Sequence, residues 1–183
     1  KVDANAPKVV AEAVPDNKEA IYIFEKDKEQ QMSQVAIMMK HDAIAPEEKT
    51  TLAYLIQDYE VSVISQMIGQ RLSEMAQEES CPFFQAMADD GQYLLSKTKD
   101  CFELVGIPKE GKDLETLQTL YREARRILEY GFTATEYARA QADYLSGLEK
   151  AYTNRDKRKN AEFGNAYRDH FLTNEPIPPL EEL

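Results

Sequence analysis

Residues 82–110 read PFFQAMADDGQYLLSKTKDCFELVGIPKE, and this stretch decides the fold. Phe83, Phe84, Ala86 and Met87 lead into Asp89-Asp90-Gly91, which signals a bulge or bend, and then into Tyr93-Leu94-Leu95. Lys97-Thr98-Lys99-Asp100 has turn chemistry, and Phe102, Leu104, Val105 and Ile107 follow as a second apolar run closed by Lys109-Glu110-Gly111. The stretch therefore predicts an antiparallel hairpin.

Upstream, Ile21 and Ile23 alternate with Tyr22 and Phe24, and Val35, Ile37 and Met39 alternate with Gln34, Ala36 and Met38. A period of two predicts two more strands, joined by the polar Lys26-Asp27-Lys28-Glu29 and ending at Lys40-His41-Asp42. Between these strands and the hairpin, Leu52, Leu55, Ile56, Tyr59, Val63, Met67, Ile68, Leu72 and Met75 recur at steps of three and four. That spacing predicts a long helix. Pro46, Glu47 and Glu48 suit its first turn, and Pro82 requires it to stop near residues 78–80.

Everything after the hairpin is helical in pattern. Asp113 is placed to cap a helix carrying Leu114, Leu117, Leu120, Tyr121, Ala124 and Leu128, with Gly131 as its left-handed terminator. Thr133 and Glu136 form a capping box for a helix bearing Tyr137, Tyr144, Leu145, Leu148 and Tyr152. A shorter helix carries Phe163, Ala166, Tyr167, His170 and Phe171, and Glu175-Pro-Ile-Pro-Pro179 leaves as an extended tail.

The order is thus β-β-α-β-β-α-α-α. Segregated strands and helices predict an α+β fold, a mainly antiparallel four-stranded sheet with helices packed on one face. Residues 1–18 read as a linker or loosely held arm, 19–175 as a single domain, and 176–183 as a tail leading onward. The chain starts at Lys1 and stops at Glu181-Glu182-Leu183, so it is expected to be a piece of a longer protein.

Of the 183 residues, 33 are Asp or Glu and 22 are Lys or Arg, a formal charge of −11. Nucleic-acid binding needs a clustered cationic excess, which this balance argues against. Arg122/Arg125/Arg126 and Arg155/Lys157/Arg158/Lys159 read as solvated faces interleaved with Glu123, Glu129 and Asp156. No apolar run is long enough to span a membrane.

Catalytic signals are sparse. The two histidines, His41 and His170, lack a second ligand at zinc spacing. His41-Asp42 reads as a solvated loop pair, and His170 as a satisfied, half-buried residue beside Tyr167 and Phe171; a small enzyme built on either is the bare alternative. No serine sits in a GxSxG context, and no glycine belongs to a phosphate-binding loop. Cys81 and Cys101, in apolar surroundings, suit unpaired core residues; one disulfide is open to them if adjacent strands carry them in an oxidising compartment. The run from Phe83 through Phe84, Gln85, Ala86 and Met87 to Ala88 reads either as core or as an exposed strand edge that accepts an extended peptide by main-chain pairing.

Several phrases together resemble one family. Gln66-Met-Ile-Gly-Gln-Arg71-Leu72-Ser-Glu74-Met-Ala-Gln followed by Cys81-Pro82-Phe83-Phe84-Gln-Ala86 is similar to a stretch of the pitrilysin/insulinase zinc metallopeptidases. Asp27-Lys28-Glu29, the run from Gly131-Phe132-Thr133 through Glu136 to Arg139-Ala140, and Asp169-His170-Phe171-Leu172 before Glu175-Pro176-Ile177-Pro178 resemble the same family, the last its bacterial periplasmic type. The likeness runs from about Ala20 to the C-terminus.

It implies homologous α+β domains arranged as two halves around a chamber, with zinc held by an HxxEH motif and a downstream Glu in the first domain. This sequence has no HxxEH, so no catalytic or metal residue carries over, and the Arg-and-Tyr pair of the last domain is unmatched too. The phrases match the inactive domain that follows the catalytic one. The resemblance implies partners in the catalytic domain of the same polypeptide and in extended peptide substrates, no cofactor in this chain, zinc in the parent, and a periplasmic or cell-envelope location. Phe83–Ala88 is the expected anchoring strand, and the acidic charge would steer cationic substrates. The alternative is a stand-alone interaction module that uses the Met-rich and Tyr-rich helix faces.

Overall fold

The hairpin expected from residues 82–110 forms the centre of the structure. The computed structural model describes residues 10–179; Glu181-Glu182-Leu183 and residues 1–9 of the expected arm lie outside the described residues. Strand β1 (Val35–Asp42), helix α1 (Leu52–Ala76), β2 (Phe83–Gln92), β3 (Lys99–Pro108), α2 (Asp113–Tyr130), α3 (Ala134–Thr153) and α4 (Asn160–Thr173) follow in order, with short 3-10 turns at Glu48–Thr50 and Arg155–Lys157. The architecture is α+β.

Among the described residues the sheet has three strands, not four, in the order β1-β3-β2 with both pairings antiparallel. Ile21–Phe24 form no strand, and their side chains are 68–89% exposed. Alternation of Ile with Tyr and Phe has no polar phase, so the segment has no water-facing side to offer at a sheet edge. The hairpin also differs in detail. Asp89-Asp90-Gly91 continue β2 without a break, and the irregularity falls between Phe83 and Gln85. Leu94 and Leu95 lie in the turn, Leu94 at φ +52°, while Lys99 already pairs with Asp42.

Register explains which face is buried. Ile37, Leu104 and Ala88 lie in one cross-strand row, and Val35, Gly106 and Ala86 in the next, all on the helix side. Leu104, Phe83 and Ala86 meet Ile68 and Leu72 of α1 and Leu120 of α2 in the main core. Glycine at 106 lets α2 approach: a Cβ there would lie 3.0 Å from Thr116 Cγ2 and 3.2 Å from Leu120 Cδ1. On the opposite face Ala36, Met38 and Met87 are exposed, while Lys99 and Cys101 near its Asp42 end are buried.

Helix α3 packs on α1 rather than on the sheet, through Ala140 against Val63 and Met67, with Tyr59 and Phe132 beside them. The expected capping box is present, Thr133 N–H donating to Glu136 Oε2 at 2.7 Å and Glu136 N–H to Thr133 Oγ1 at 3.2 Å. Gly131 takes φ +66° and ends α2. Helix α1 starts later than expected, at Leu52, with the Thr51 hydroxyl as its cap. Helix α4 buries none of its residues and is held at its C-terminal end. Asn174, at φ +59°, donates to the Pro46 carbonyl, and Glu175 binds Lys49 and Tyr54.

Arg71 joins the helices. Its guanidinium, from α1, donates to Glu136 of α3, to Glu123 of α2 at 3.0 Å and to the Gly131 carbonyl at 3.0 Å, and lies 4.9 Å from the centre of the Phe132 ring. Glu123 is therefore buried, against the expectation that it belongs to a solvated charged face. Its neighbours Arg122, Arg125 and Arg126 are exposed.

Candidate functional site

The six residues expected to anchor a peptide lie on β2, an outer strand of the sheet. They divide by the strand's alternation. Phe83 and Ala86 are buried in the core and Ala88 is half-buried, whereas Phe84, Gln85 and Met87 are exposed. The strand's start is fixed from behind, because the Pro82 carbonyl accepts from Lys109 N–H at 2.8 Å and from the Thr116 hydroxyl at 3.2 Å. The apolar residues thus hold the strand, and the other three form its accessible surface. An edge strand so held offers unpaired main-chain groups to an extended segment.

The far end of β2 reaches a cavity of about 680 Å³ between the end of the sheet, the first turns of α1 and the chain after α4. His41, Tyr54, Asp58, Asp90, Lys97 and Glu175 line it, with Ile44, Val61 and Leu172 as apolar wall. The sequence signals missed this grouping because its members come from five separate segments. Two pairs share a scaffold, His41 and Asp90 across β3 from each other, and Tyr54 and Asp58 one turn apart on α1.

His41 lies in β1, not in a solvated loop, with Nε2 2.8 Å from Asp90 Oδ1 and Nδ1 3.1 Å from the Asp42 carbonyl. Both ring nitrogens face acceptors, an arrangement the imidazolium form satisfies in full. Burial opposes that charge, but the bonds to Asp90 and Asp42 and the charges of Asp90 and Asp100 outweigh it, holding the group above its ordinary value. At the other wall Tyr54 O–H donates to Glu175 Oε2 at 2.7 Å, and Lys49 pairs with Oε1. Burial first, then Glu175, pushes the Tyr54 phenol far up, and the same two causes raise the Asp58 carboxyl.

His170 is exposed rather than half-buried, and its Nδ1 donates to the Glu175 carbonyl at 2.8 Å. The two histidines are thus engaged separately. Ser96, the serine of the cavity lining, accepts from the Thr98 and Lys99 amides at 3.1 and 2.9 Å through its hydroxyl. Cys81 and Cys101 are buried and unpaired; burial and nearby carboxylates raise the Cys101 thiol, which disfavours the reactive thiolate. Among the described residues no three His, Cys, Asp or Glu side chains gather as metal ligands. Hydrogen bonds join His41 to Asp90 and Lys49 and Tyr54 to Glu175, while the Asp58 and Lys97 side chains line the cavity without one among the described residues. No described helix is long and apolar enough to cross a membrane.

No protein-family model matches the chain, and no curated protein matches it. Solved structures do. The chain is similar to the first half of the periplasmic protease PqqL from Escherichia coli, with a TM-score of 0.73 and 20% identity over 85% of this chain and 32% of that one. It is likewise similar to PqqL in full, with a TM-score of 0.72 and 19% identity over 85% of this chain and 17% of that one. At these identities the likeness is one of fold, and the chain spans about a third of the half-protein it matches.

Proposed function

We propose that this chain is a non-catalytic domain of a zinc-dependent peptidase of the pitrilysin/insulinase type, located in the periplasm. It completes the wall of a substrate chamber and anchors extended peptides along β2, without activity of its own. The observation that carries the reading is the fold shared with PqqL over 85% of the chain. The sequence phrases around Arg71, Pro82 and Gly131 support it. The residues here do not fit a zinc site of the HxxEH type, so zinc belongs to the catalytic domain of the parent and no step is assigned to it.

In the anchoring role, Phe84, Gln85 and Met87 present the surface and the outer main chain of β2 pairs with the peptide. Phe83 and Ala86 position that strand by filling the core. Two measurements test the proposal. Incubating the chain with peptides and added zinc should give no turnover; hydrolysis abolished by a chelator would sink it. Amide exchange with a saturating extended peptide should slow at Phe84–Ala88, and unchanged exchange there would remove β2 as the anchor. An open reading frame without HxxEH upstream of Lys1 would favour the stand-alone interaction module instead.

A further inference from the structure

Ile21, Tyr22, Ile23 and Phe24 are 68, 88, 80 and 89% exposed, an unusual state for four consecutive large apolar residues. Among the described residues, 17–34 take part in no backbone–backbone hydrogen bond. Their polar contacts are local, from Asn17 to the Glu19 carbonyl, from the Glu29 amide to Asp27 and from Gln30 to the Met32 carbonyl. The segment carries a strand's sequence but has none of a strand's pairing.

It is nevertheless tethered at both ends. Just before it, the Val14 amide donates to the Thr98 hydroxyl at 3.2 Å, Lys40 binds the Pro15 carbonyl at 2.8 Å, and Lys99 binds Asp16 at 2.7 Å and Asp42 at 2.6 Å. Those contacts lie at the Asp42 end of β1, whereas the chain re-enters the sheet at Val35, the opposite end. The ends of the 17–34 segment are therefore separated by about the length of β1, about 24 Å at ~3.4 Å per residue.

The side-chain pattern argues against the nearest partner. Pairing with the outer edge of β1 would turn either Ile21 and Ile23 or Tyr22 and Phe24 towards the face away from the helices, where Met38 and Met87 are already exposed. One apolar row would stay in water. A strand apolar on both sides belongs in a sheet covered on both faces.

We propose that residues 20–25 are a donated strand, which leaves this sheet and adds to the sheet edge of the neighbouring catalytic domain of the same polypeptide. The identity of that acceptor rests on the reading under Proposed function. Two rows of apolar side chains supply the contact, the main chain supplies register, and the tethers at residues 14–16 and at Val35 make the strand a clamp between the two domains.

The test uses the full encoded polypeptide. By amide exchange, residues 21–24 should exchange at least about 100-fold more slowly than an unstructured chain, and Tyr22→Pro, which removes a strand donor, should abolish that protection. Exchange at Leu104 and Leu120 should be unaltered in this variant, because neither core cluster includes a residue of the segment. Phe24→p-benzoylphenylalanine, irradiated, should cross-link to the domain bearing HxxEH. Free exchange at 21–24, a cross-link into β1, or a cross-linked second copy would each overturn the donated strand. A polypeptide without HxxEH would overturn the peptidase reading instead, and the two failures are separable.

Discussion

Replacing Arg71 by Ala removes one side chain that serves three helices. The guanidinium is 14% exposed, pairs with Glu136 through two nitrogens, bonds Glu123 at 3.0 Å and caps the Gly131 carbonyl at 3.0 Å. Without it, Glu123 keeps only Arg126 at 3.6 Å, and its carboxylate, 7% exposed, remains in a largely dry site. Leaving a buried charge without its partner costs about 3–5 kcal/mol. The carboxylate side of the network gives a similar figure. Arg71 first, helped by the Thr133 amide and hydroxyl and opposed by burial, holds the Glu136 carboxyl at about 2 rather than 4.5, which corresponds to about 3 kcal/mol.

Urea denaturation near neutral pH, followed by far-ultraviolet circular dichroism, reads this loss directly, and thermal unfolding should show it as roughly 6–20 °C. Arg71→Lys, which keeps the charge but not the planar fork, should recover less than half of the difference. The pH dependence has a definite sign. A carboxyl depressed in the folded state contributes above its ordinary value and loses that contribution as pH falls towards 2. The gap between wild type and Arg71→Ala should therefore narrow from about pH 5 downward. A cost below ~1 kcal/mol, the worth of an exposed pair, would refute the hub.

Gly106→Ala puts a methyl against Thr116 Cγ2 and Leu120 Cδ1, so it should destabilise by about 1–3 kcal/mol in the same denaturation assay. His41→Gln should lower stability most in mild acid: the raised imidazole contributes fully below about 6.5, its unfolded value, and loses that contribution as pH rises through its folded value, so the variants should converge above that range. Lys99→Gln should release Asp16 while Thr98 and Lys40 still hold Val14 and Pro15, seen as faster proteolytic cleavage just after residue 16 with little change in global unfolding.

What could be read from sequence was what local chemistry decides. The Thr133–Glu136 box and the Gly131 terminator are contained within a few residues and formed as expected. The hairpin was legible because the apolar runs at Phe83–Met87 and Phe102–Ile107 flank the turn chemistry of Lys97-Thr98-Lys99-Asp100. Failures arose where the deciding partner is remote. Ile21–Phe24 have a strand's alternation, but alternation says nothing about whether an edge exists to receive it. Leu94 and Leu95 extend an apolar run, yet the close of the hairpin needs a positive φ there and takes it from Leu94. Glu123 sits among arginines in sequence and looked solvated; its burial depends on Arg71, on α1, with β2 and β3 lying between the two in the chain. The cavity shares this character, since Tyr54, Asp58, Asp90 and Glu175 meet only when the chain is folded.

The attachment of α4 carries a consequence for the native ensemble. A fourteen-residue helix with no fully buried residue, only Ala166 and Asp169 being half-buried, is marginal by propensity alone. Its persistence depends on the contacts of Asn174 and Glu175 with Pro46, Lys49 and Tyr54. Release of those few bonds would undock it while α1, α2 and the sheet stay intact, a sub-global opening well below the free energy of complete unfolding. Leu172, Thr173 and Glu175 also wall the cavity, so each such excursion would widen its mouth. Access to the site would then fluctuate at the rate at which one helix end lets go, independently of the core.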